Sequence, residues 1–332
     1  MTQRNPAFEV RPSVITGDTA DVYLHRTQRV LRSEGINPRV VMEFSASRAG
    51  VLCGAMEVRA VLSKVTSEGN REVWAVEEGE GISEGEVCVT IKAPYSSFGL
   101  YETAICGILA HQSGWATAAH ELAMEAGSIP VVCVGAHNVH PSVAPVMDYA
   151  AVVGGCLSGS TVLGARLANS PPIATVSGAL VQIMGSPIAA AEAFDRAMAP
   201  DVQRVAYVDP REDVVAQSVE IAKTMAGHLR SVRLARVPGG KPVQADTVQE
   251  VRAQLDAAGA KTVDIVLSGR LSPERIRTVL DAGAPVNMFH DTGYIAAANP
   301  LPFMPNIRTI SDRDIPQETE PLPPNSRLVR VL

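Results

Sequence analysis

In the second half of this chain, short β-branched runs repeatedly end on residues that could hold a polar or charged ligand. His137, Asn138 and His140 close the run at 131–136, and Ser160 follows the run at 151–157. Thr175 lies in 173–177, Asp209 follows 204–208, and Ser268, Gly269 and Arg270 follow 263–267. His290 and Asp291 come directly after 285–289. Two histidines and an aspartate have the chemistry of a metal site, but His137, His290 and Asp291 match no ligand spacing. The set His137, Asn138, His290 and Asp291 therefore reads as a polar substrate pocket, with no metal ligand assigned. His140, in front of Pro141, could brace a strand-end turn or touch a ligand. In the first half, Tyr23 and Arg26 share the stretch DVYLHRT, and Glu102 opens a long helical stretch. Tyr23 suits a ligand or an interface, Arg26 a phosphate or a surface pair, and Glu102 an arginine or an internal network.

Residues at strand ends do chemistry only if a sheet aligns them. Apolar runs at 131–136, 151–157, 173–177, 204–208, 232–235, 263–267 and 285–289 alternate with helix-like segments such as 211–226, 245–258 and 272–282. That alternation is the pattern of a parallel α/β sheet or barrel. About seven such runs predict a TIM-like barrel, complete or incomplete, with chemistry at the carboxyl ends of its strands. The helix after Ser272 has a capping hydroxyl followed by Pro273, and Gly283 supplies its exit. Earlier in the chain, 72–76 and 86–91 read as strands joined by the acidic turn 77–85, followed by the helix 101–126. The expected organisation is a mixed, sandwich-type α/β domain at 1–125, a barrel domain at 126–300, and a Pro-rich arm at 301–332 that could return to the first domain. The arm ends in the strand-like RLVRVL.

Composition narrows the function classes. With 46% hydrophobic and 19% charged residues the chain can bury a large core, and only 4% are aromatic, so that core is mainly aliphatic. A net charge of −6 gives no electrostatic reason to expect a nucleic-acid partner. No apolar run reaches the roughly 18 residues that span a bilayer. The opening MTQRNPAFEVRPS lacks an apolar signal core. The five cysteines lie in apolar segments without metal-ligand spacing, as expected of reduced thiols in a cytoplasmic protein.

Three stretches resemble the type II phosphoribosyltransferases, and nicotinate phosphoribosyltransferase in particular. DVYLHRT at 21–27 is similar to that family's Asp-x-Tyr segment, and YSSFGLYETAICG at 95–107 to its domain-crossing helix. GAHNVHPSVAPVMDYAAVVGGCLSGSTVLGA at 135–165 follows the family's His-Pro, Asp, Gly-Gly and Ser-x-x-x-Gly-Ala spacing. Weaker likenesses are VDPRED at 208–213 and LSGRLS at 267–272, and together they cover 18–300. The resemblance implies a homodimer with shared active sites, in which a ring nitrogen of a heterocycle replaces the pyrophosphate of 5-phosphoribosyl 1-pyrophosphate, assisted by magnesium. It implies that Tyr23 stacks on the base, that Glu102 and Asp209 flank the ribose or its metal, and that Ser160 and Thr175 line the barrel mouth. Ser268 and Gly269 would offer amides to the 5-phosphate, with Glu102, His140 and Asp209 as the candidate catalytic groups.

Several positions depart from that pattern. Where the family carries carboxylate-binding arginines, this chain has His137 and Asn138, which cannot supply a guanidinium's two-point grip. An acidic residue expected after Arg233-Leu234 is Ala235. A glycine-rich phosphate loop is replaced by Met288-Phe289-His290-Asp291, adding bulk and negative charge, while Arg270 stands where a glycine is usual and could return a cation. The expectation is a phosphoribosyltransferase acting on nicotinate or, by these changes, on another acceptor. The alternatives are an enzyme of another class on the same scaffold, using a ribosylated or phosphate-free ligand, and a non-catalytic relative.

Overall fold

The computed structural model describes residues 7–237, 239–316 and 325–332. The chain divides into two compact units, residues 1–118, 166–169 and 298–332 in the first and residues 119–165 and 170–297 in the second.

The first unit is built on a six-stranded antiparallel sheet. Its strands run in the order Arg313–Asp314, Phe303–Ile310, Arg39–Ala46, Val87–Pro94, Glu72–Ala75, Val329–Arg330. Arg39–Ala46 alternates half-buried and buried residues, the pattern of a strand with one covered face. Its inward Val40, Met42, Phe44 and Ala46 join Ile91, Leu62, Ile105 and Leu109 in one core cluster. The 25-residue helix Glu102–Ala126 starts in this unit. Gly114 lets the backbone of Asn299 and Pro300 pass against that helix, since a Cβ there would sit 2.4 Å from the Asn299 carbonyl oxygen. Residues 303–310, expected as part of an extended arm, form a full strand bonded along Arg39–Ala46. Of the expected arm, 317–324 lie outside the described residues, and Val329–Arg330 pairs with Trp74 and Ala75.

The second unit holds five parallel strands in the order Val131–Cys133, Met288–Asp291, Asp264–Gly269, Ser231–Leu234, Val205–Tyr207. Two irregular segments close them into a ring. Residue 157 donates to Val131 and Cys133 donates to Ser158, at 2.7 and 3.0 Å. Ile173 donates to the carbonyl of Gly159 at 3.3 Å, and Val176 to that of Val205 at 2.9 Å. The result is an α/β barrel of seven staves, five of them regular strands. The run at 151–157, expected as a strand, is instead mostly the end of the helix Ala144–Val153. Pro145 in the first turn favours helix entry, and the apolar run AAVV continues it; only residues beyond the Gly154-Gly155 exit join the barrel.

Helix entries follow the sequence. The Ser272 hydroxyl accepts from the Arg275 amide at 3.1 Å ahead of Pro273–Asp281, and Asp213 likewise caps Val214–Thr224. Gly283 leaves the first of these in the left-handed region, φ 71°. Among the described residues no helix is long and apolar enough to cross a membrane. Ser272→Ala removes the cap from the helix that follows the Ser268–Arg270 strand end and should cost about 1 kcal/mol. Urea denaturation measures this, and an unchanged midpoint would show that the hydroxyl does not hold the helix start.

Candidate active site

A cavity of about 460 Å³ opens at the carboxyl ends of the second unit's parallel strands. Four arginines line it, Arg233, Arg236, Arg270 and Arg275, and none of its lining residues is an aspartate or glutamate. His137, Ser268 and Gly269 also line it. The strand Asp264–Gly269 delivers Ser268 and Gly269 at its end, and a Cβ on Gly269 would meet nothing within 4 Å, so its backbone is open to approach. Arg275 is already engaged, donating to Gln244 Oε1 at 3.2 Å and to the Val243 carbonyl, which holds one wall in place. Arg236 and Arg270 are exposed, with no side-chain partner among the described residues. Gly293 leaves room for the Arg270 stem, with Arg270 Cγ 3.5 Å and Asn138 Nδ2 3.6 Å from where its Cβ would be.

Below the cavity mouth the barrel interior is polar and incompletely satisfied. Arg233 stacks its guanidinium 4.9 Å from the Tyr207 ring centroid. His290, 1% exposed, pairs in register with Ser268, 4% exposed. Arg233 Nε, Ser268 Oγ and His290 Nδ1 are all shielded and lack a hydrogen-bond partner. Burial, and then the Arg233 charge, push the His290 imidazole down to about 4, so it is neutral near pH 7.

The acidic residues that the sequence places at strand ends are committed elsewhere. Asp291 is fully buried; its Oδ1 accepts from the amides of Leu271, Gly293 and Tyr294 at 3.2, 3.2 and 3.0 Å, and its Oδ2 from Ile295 at 3.0 Å. Asp209 is gripped by its neighbour Arg211 through Nε and Nη2, which holds its carboxyl below the ordinary aspartate range. Asn138 Nδ2 donates to the Thr292 carbonyl, and His140 Nδ1 accepts from the Ser142 amide at 3.1 Å, bracing the turn. Ser160 donates its amide to Asp148, and the Thr175 hydroxyl donates to the Val176 carbonyl at 3.2 Å. The structure thus brings His137, Ser268, Gly269 and Arg270 together around one cavity. It sets His290 in the interior and uses Asn138, His140, Asp209 and Asp291 to hold backbone or a neighbouring side chain.

In the first unit, Tyr23 and Glu102 form a separate pair, the phenol donating to Glu102 Oε1 at 3.2 Å. Asp21 and Thr103 brace the same two helix starts through a 2.8 Å hydroxyl–carboxylate bond. Burial first, then Asp21, raises the Glu102 carboxyl, opposed by the Tyr23 bond. Tyr23 is 56% exposed, and Arg26 is exposed with no partner among the described residues.

Arg233, Arg236 and Arg275 were not expected as pocket residues. The available signal was a charged residue inside the buried run SVRLA, a placement that an unpaired arginine seldom takes. The chemistry of the donor set also bears on magnesium. Among the described residues no group of three His, Cys, Asp or Glu could hold a metal, and Asp209 and Asp291 are saturated by other partners. These residues do not fit a protein-held magnesium site.

The 135–165 motif has a physical basis in Asp148. Its Oδ2 accepts from the Ser160 amide, the Thr161 amide and the Thr161 hydroxyl at 3.1, 2.7 and 2.6 Å. A Cβ on Gly159 or Gly164 would lie 2.4 Å from the Asp148 side chain, so both glycines are needed for the carboxylate to reach that turn.

His290 gives the unit a pH-dependent stability. Unfolded, its imidazole takes a proton near 6.5, whereas in the native barrel it does so only near 4. Between those values the unfolded chain binds more protons, so this contribution falls as pH drops through 6.5 and levels off below 4. The total is on the order of 3 kcal/mol. Denaturation curves of wild type and His290→Gln from pH 7.5 to 4 should converge as the wild type loses that stability; parallel curves would rule out the buried neutral imidazole.

Residues 21–113 match the N-terminal domain of quinolinate phosphoribosyl transferase. The chain is 30% identical over 234 residues to the nicotinate phosphoribosyltransferase pncB2 of Mycobacterium tuberculosis, covering 70% of this chain and 50% of that protein. It thus spans about half the length of the curated relatives it matches. Among solved structures, the nicotinate-nucleotide pyrophosphorylase of Pyrococcus furiosus superposes with a TM-score of 0.84 at 32% identity, over 96% of this chain and 81% of that one. Human nicotinic acid phosphoribosyltransferase shares the fold, with a TM-score of 0.69 at 16% identity over 89% of this chain and 75% of its own. With both halves of the architecture and a relative of that similarity in agreement, the chain belongs to the nicotinate and quinolinate branch of the type II phosphoribosyltransferases.

Proposed function

We propose that this protein transfers the 5-phosphoribosyl group of phosphoribosyl pyrophosphate to a ring nitrogen of a heterocycle, and that the heterocycle is not nicotinate. The observation that carries this reading is the cavity at the strand ends, lined by four arginines and no carboxylate. The donor carries phosphate at one end and diphosphate at the other, and a cationic, partly enclosed site favours such charge more than bulk water does. Arg236 and Arg270, with no side-chain partner among the described residues, neutralise the departing diphosphate. Gly269, open to close approach, offers its backbone to the phosphate end. Magnesium enters as the diphosphate's counter-ion, as part of the substrate. Against nicotinate stand His137 and Asn138: the first is a single imidazole, and the second is already bound to Thr292.

Tyr23 and Glu102 supply the aromatic face and the carboxyl that the family resemblance assigns to the base and the ribose. On that resemblance the enzyme works as a cytoplasmic homodimer with shared active sites. A second reading, another reaction on the same scaffold, draws on Asp291, whose carboxylate takes up the amides of 293–295 that an external phosphate would otherwise find free.

Calorimetric titration with phosphoribosyl pyrophosphate and magnesium separates the two. The first reading expects micromolar binding, weakened about tenfold by Arg270→Ala, and little nicotinate mononucleotide formed from nicotinate. No binding by the wild type would remove the transferase reading, and rapid turnover of nicotinate would remove the claim of a different acceptor.

A further inference from the structure

Magnesium at a diphosphate is ordinarily tied to a protein by one or two carboxylates, with phosphate oxygens and water completing its shell. The cavity offers it none. No aspartate or glutamate lines it, and after Ser231–Leu234, where the family pattern has an acid, the lining residue is Ala235. The loop 209–213 carries three acids, and each is engaged: Asp209 is gripped by Arg211, Glu212 Oε2 accepts from Gln217 Nε2 at 3.1 Å, and Asp213 caps the helix Val214–Thr224. Asp291 collects four backbone amides, and Glu102, in the first unit, accepts from the Tyr23 hydroxyl.

Cations stand where those ligands are missing. Directly after Ala235 the chain folds into a short hairpin: the Val237 amide donates to the Lys241 carbonyl at 3.0 Å, and Arg236 and Pro242 form an antiparallel β-bridge. Gly239 and Gly240 turn it in the left-handed region, φ 84° and 75°. The hairpin thereby sets Arg236 on the cavity, and Arg270, directly after Asp264–Gly269, lines it too. Both are exposed with no side-chain partner among the described residues. A guanidinium is permanently charged and presents paired N–H donors to phosphate oxygens. Two of them supply the two positive charges of one magnesium ion, together with directional hydrogen bonds. A metal that no protein group holds acts only through the ligand's charge. Among four arginines that action is adverse, since each charge it cancels on the diphosphate is an attraction the guanidiniums lose.

We propose that this site takes up diphosphate free of magnesium, with Arg236 and Arg270 as its counter-ions, so that the divalent cation competes with the protein for the ligand. The inference rests on the transferase reading for the ligand's identity and deepens it: magnesium arrives as the substrate's counter-ion and is shed on binding.

The test is calorimetry with inorganic pyrophosphate, in EDTA and then in excess magnesium at equal ionic strength, on wild type, Arg236→Gln, Arg270→Gln and the double variant. Circular dichroism establishes that each variant is folded. Wild type should bind the metal-free anion, and magnesium should weaken that binding severalfold. Each single substitution should weaken metal-free binding about tenfold. In the double variant magnesium should strengthen binding, because the metal returns the charge that the protein has lost; a merely structural role for the two arginines would leave the direction of the magnesium effect unchanged. Wild-type binding that appears only with magnesium overturns the proposal, as does metal-free binding that the double variant retains at the wild-type level. Phosphoribosyl pyrophosphate, titrated under both conditions, separates this inference from the reading it rests on. If pyrophosphate binds without magnesium and phosphoribosyl pyrophosphate binds under neither condition, the metal-free site stands and the transferase reading falls. Phosphoribosyl pyrophosphate bound with magnesium alone does the reverse, and absence of binding by both ligands overturns both.

Discussion

The barrel's ligand end is organised around the carboxylate of Asp291. It sits at the end of Met288–Asp291, between Val131–Cys133 and Asp264–Gly269, and collects amides from Leu271 on one side and from Gly293, Tyr294 and Ile295 on the other. Four N–H donors around one buried carboxylate fix the chain after two adjacent strands at once. That fixes where Arg270 leaves its strand, and it brings Gly293 to where the Arg270 stem and the Asn138 amide can both pass. An internal anion has taken the place that loop amides could have offered to an external one. Beyond the open backbone at Gly269, anion binding in this barrel therefore depends on side chains.

The same logic governs the distribution of charge. The chain carries a net −6, yet the cavity lining holds four arginines and no acid. Three acidic groups of this unit are held by other partners: Asp209 by Arg211, Asp148 by the 160–161 turn, Asp291 by amides. Amide donors stabilise a buried carboxylate without cancelling its charge, so what favours an anion here is the cavity lining itself, with four arginines and no acid. Overall acidity thus says little about what the site attracts.

Much of the fold was legible in the sequence because local rules and packing agree. The Ser272-Pro273 entry and Gly283 exit appear where expected, and the runs expected as strands at 72–76 and 86–91 form Glu72–Ala75 and Val87–Pro94. The run at 151–157 was not legible, since four apolar residues suit a buried strand or a helix end equally well, and only tertiary pairing at 157–159 decides. Within the site, Ser268, Gly269, Arg270 and His137 were found because strand ends are identifiable from turns. Arg233 escaped notice because a sequence does not say whether a mid-strand residue faces the barrel interior or its helices. Asp291 looked like a repulsive charge because its four amide partners lie in a loop whose path the sequence does not give.

These differences separate two kinds of information in the family likeness. The most specific motif, 135–165, reduces to a packing requirement: Asp148 caps the 160–161 turn only if residues 159 and 164 lack a Cβ. Such a constraint holds whatever the barrel binds, so it carries fold faithfully and ligand hardly at all. Apart from His137, the residues that face the cavity come from other segments and hold a chemistry of their own, with arginine at 233, 236, 270 and 275. A change of ligand in this scaffold therefore needs only that strand-end side chains change while the turn-capping carboxylates stay. The chain shows that arrangement: the Asp148 turn is intact, and Arg233 Nε, Ser268 Oγ and His290 Nδ1, three of the buried polar atoms without a partner, are on the barrel strands.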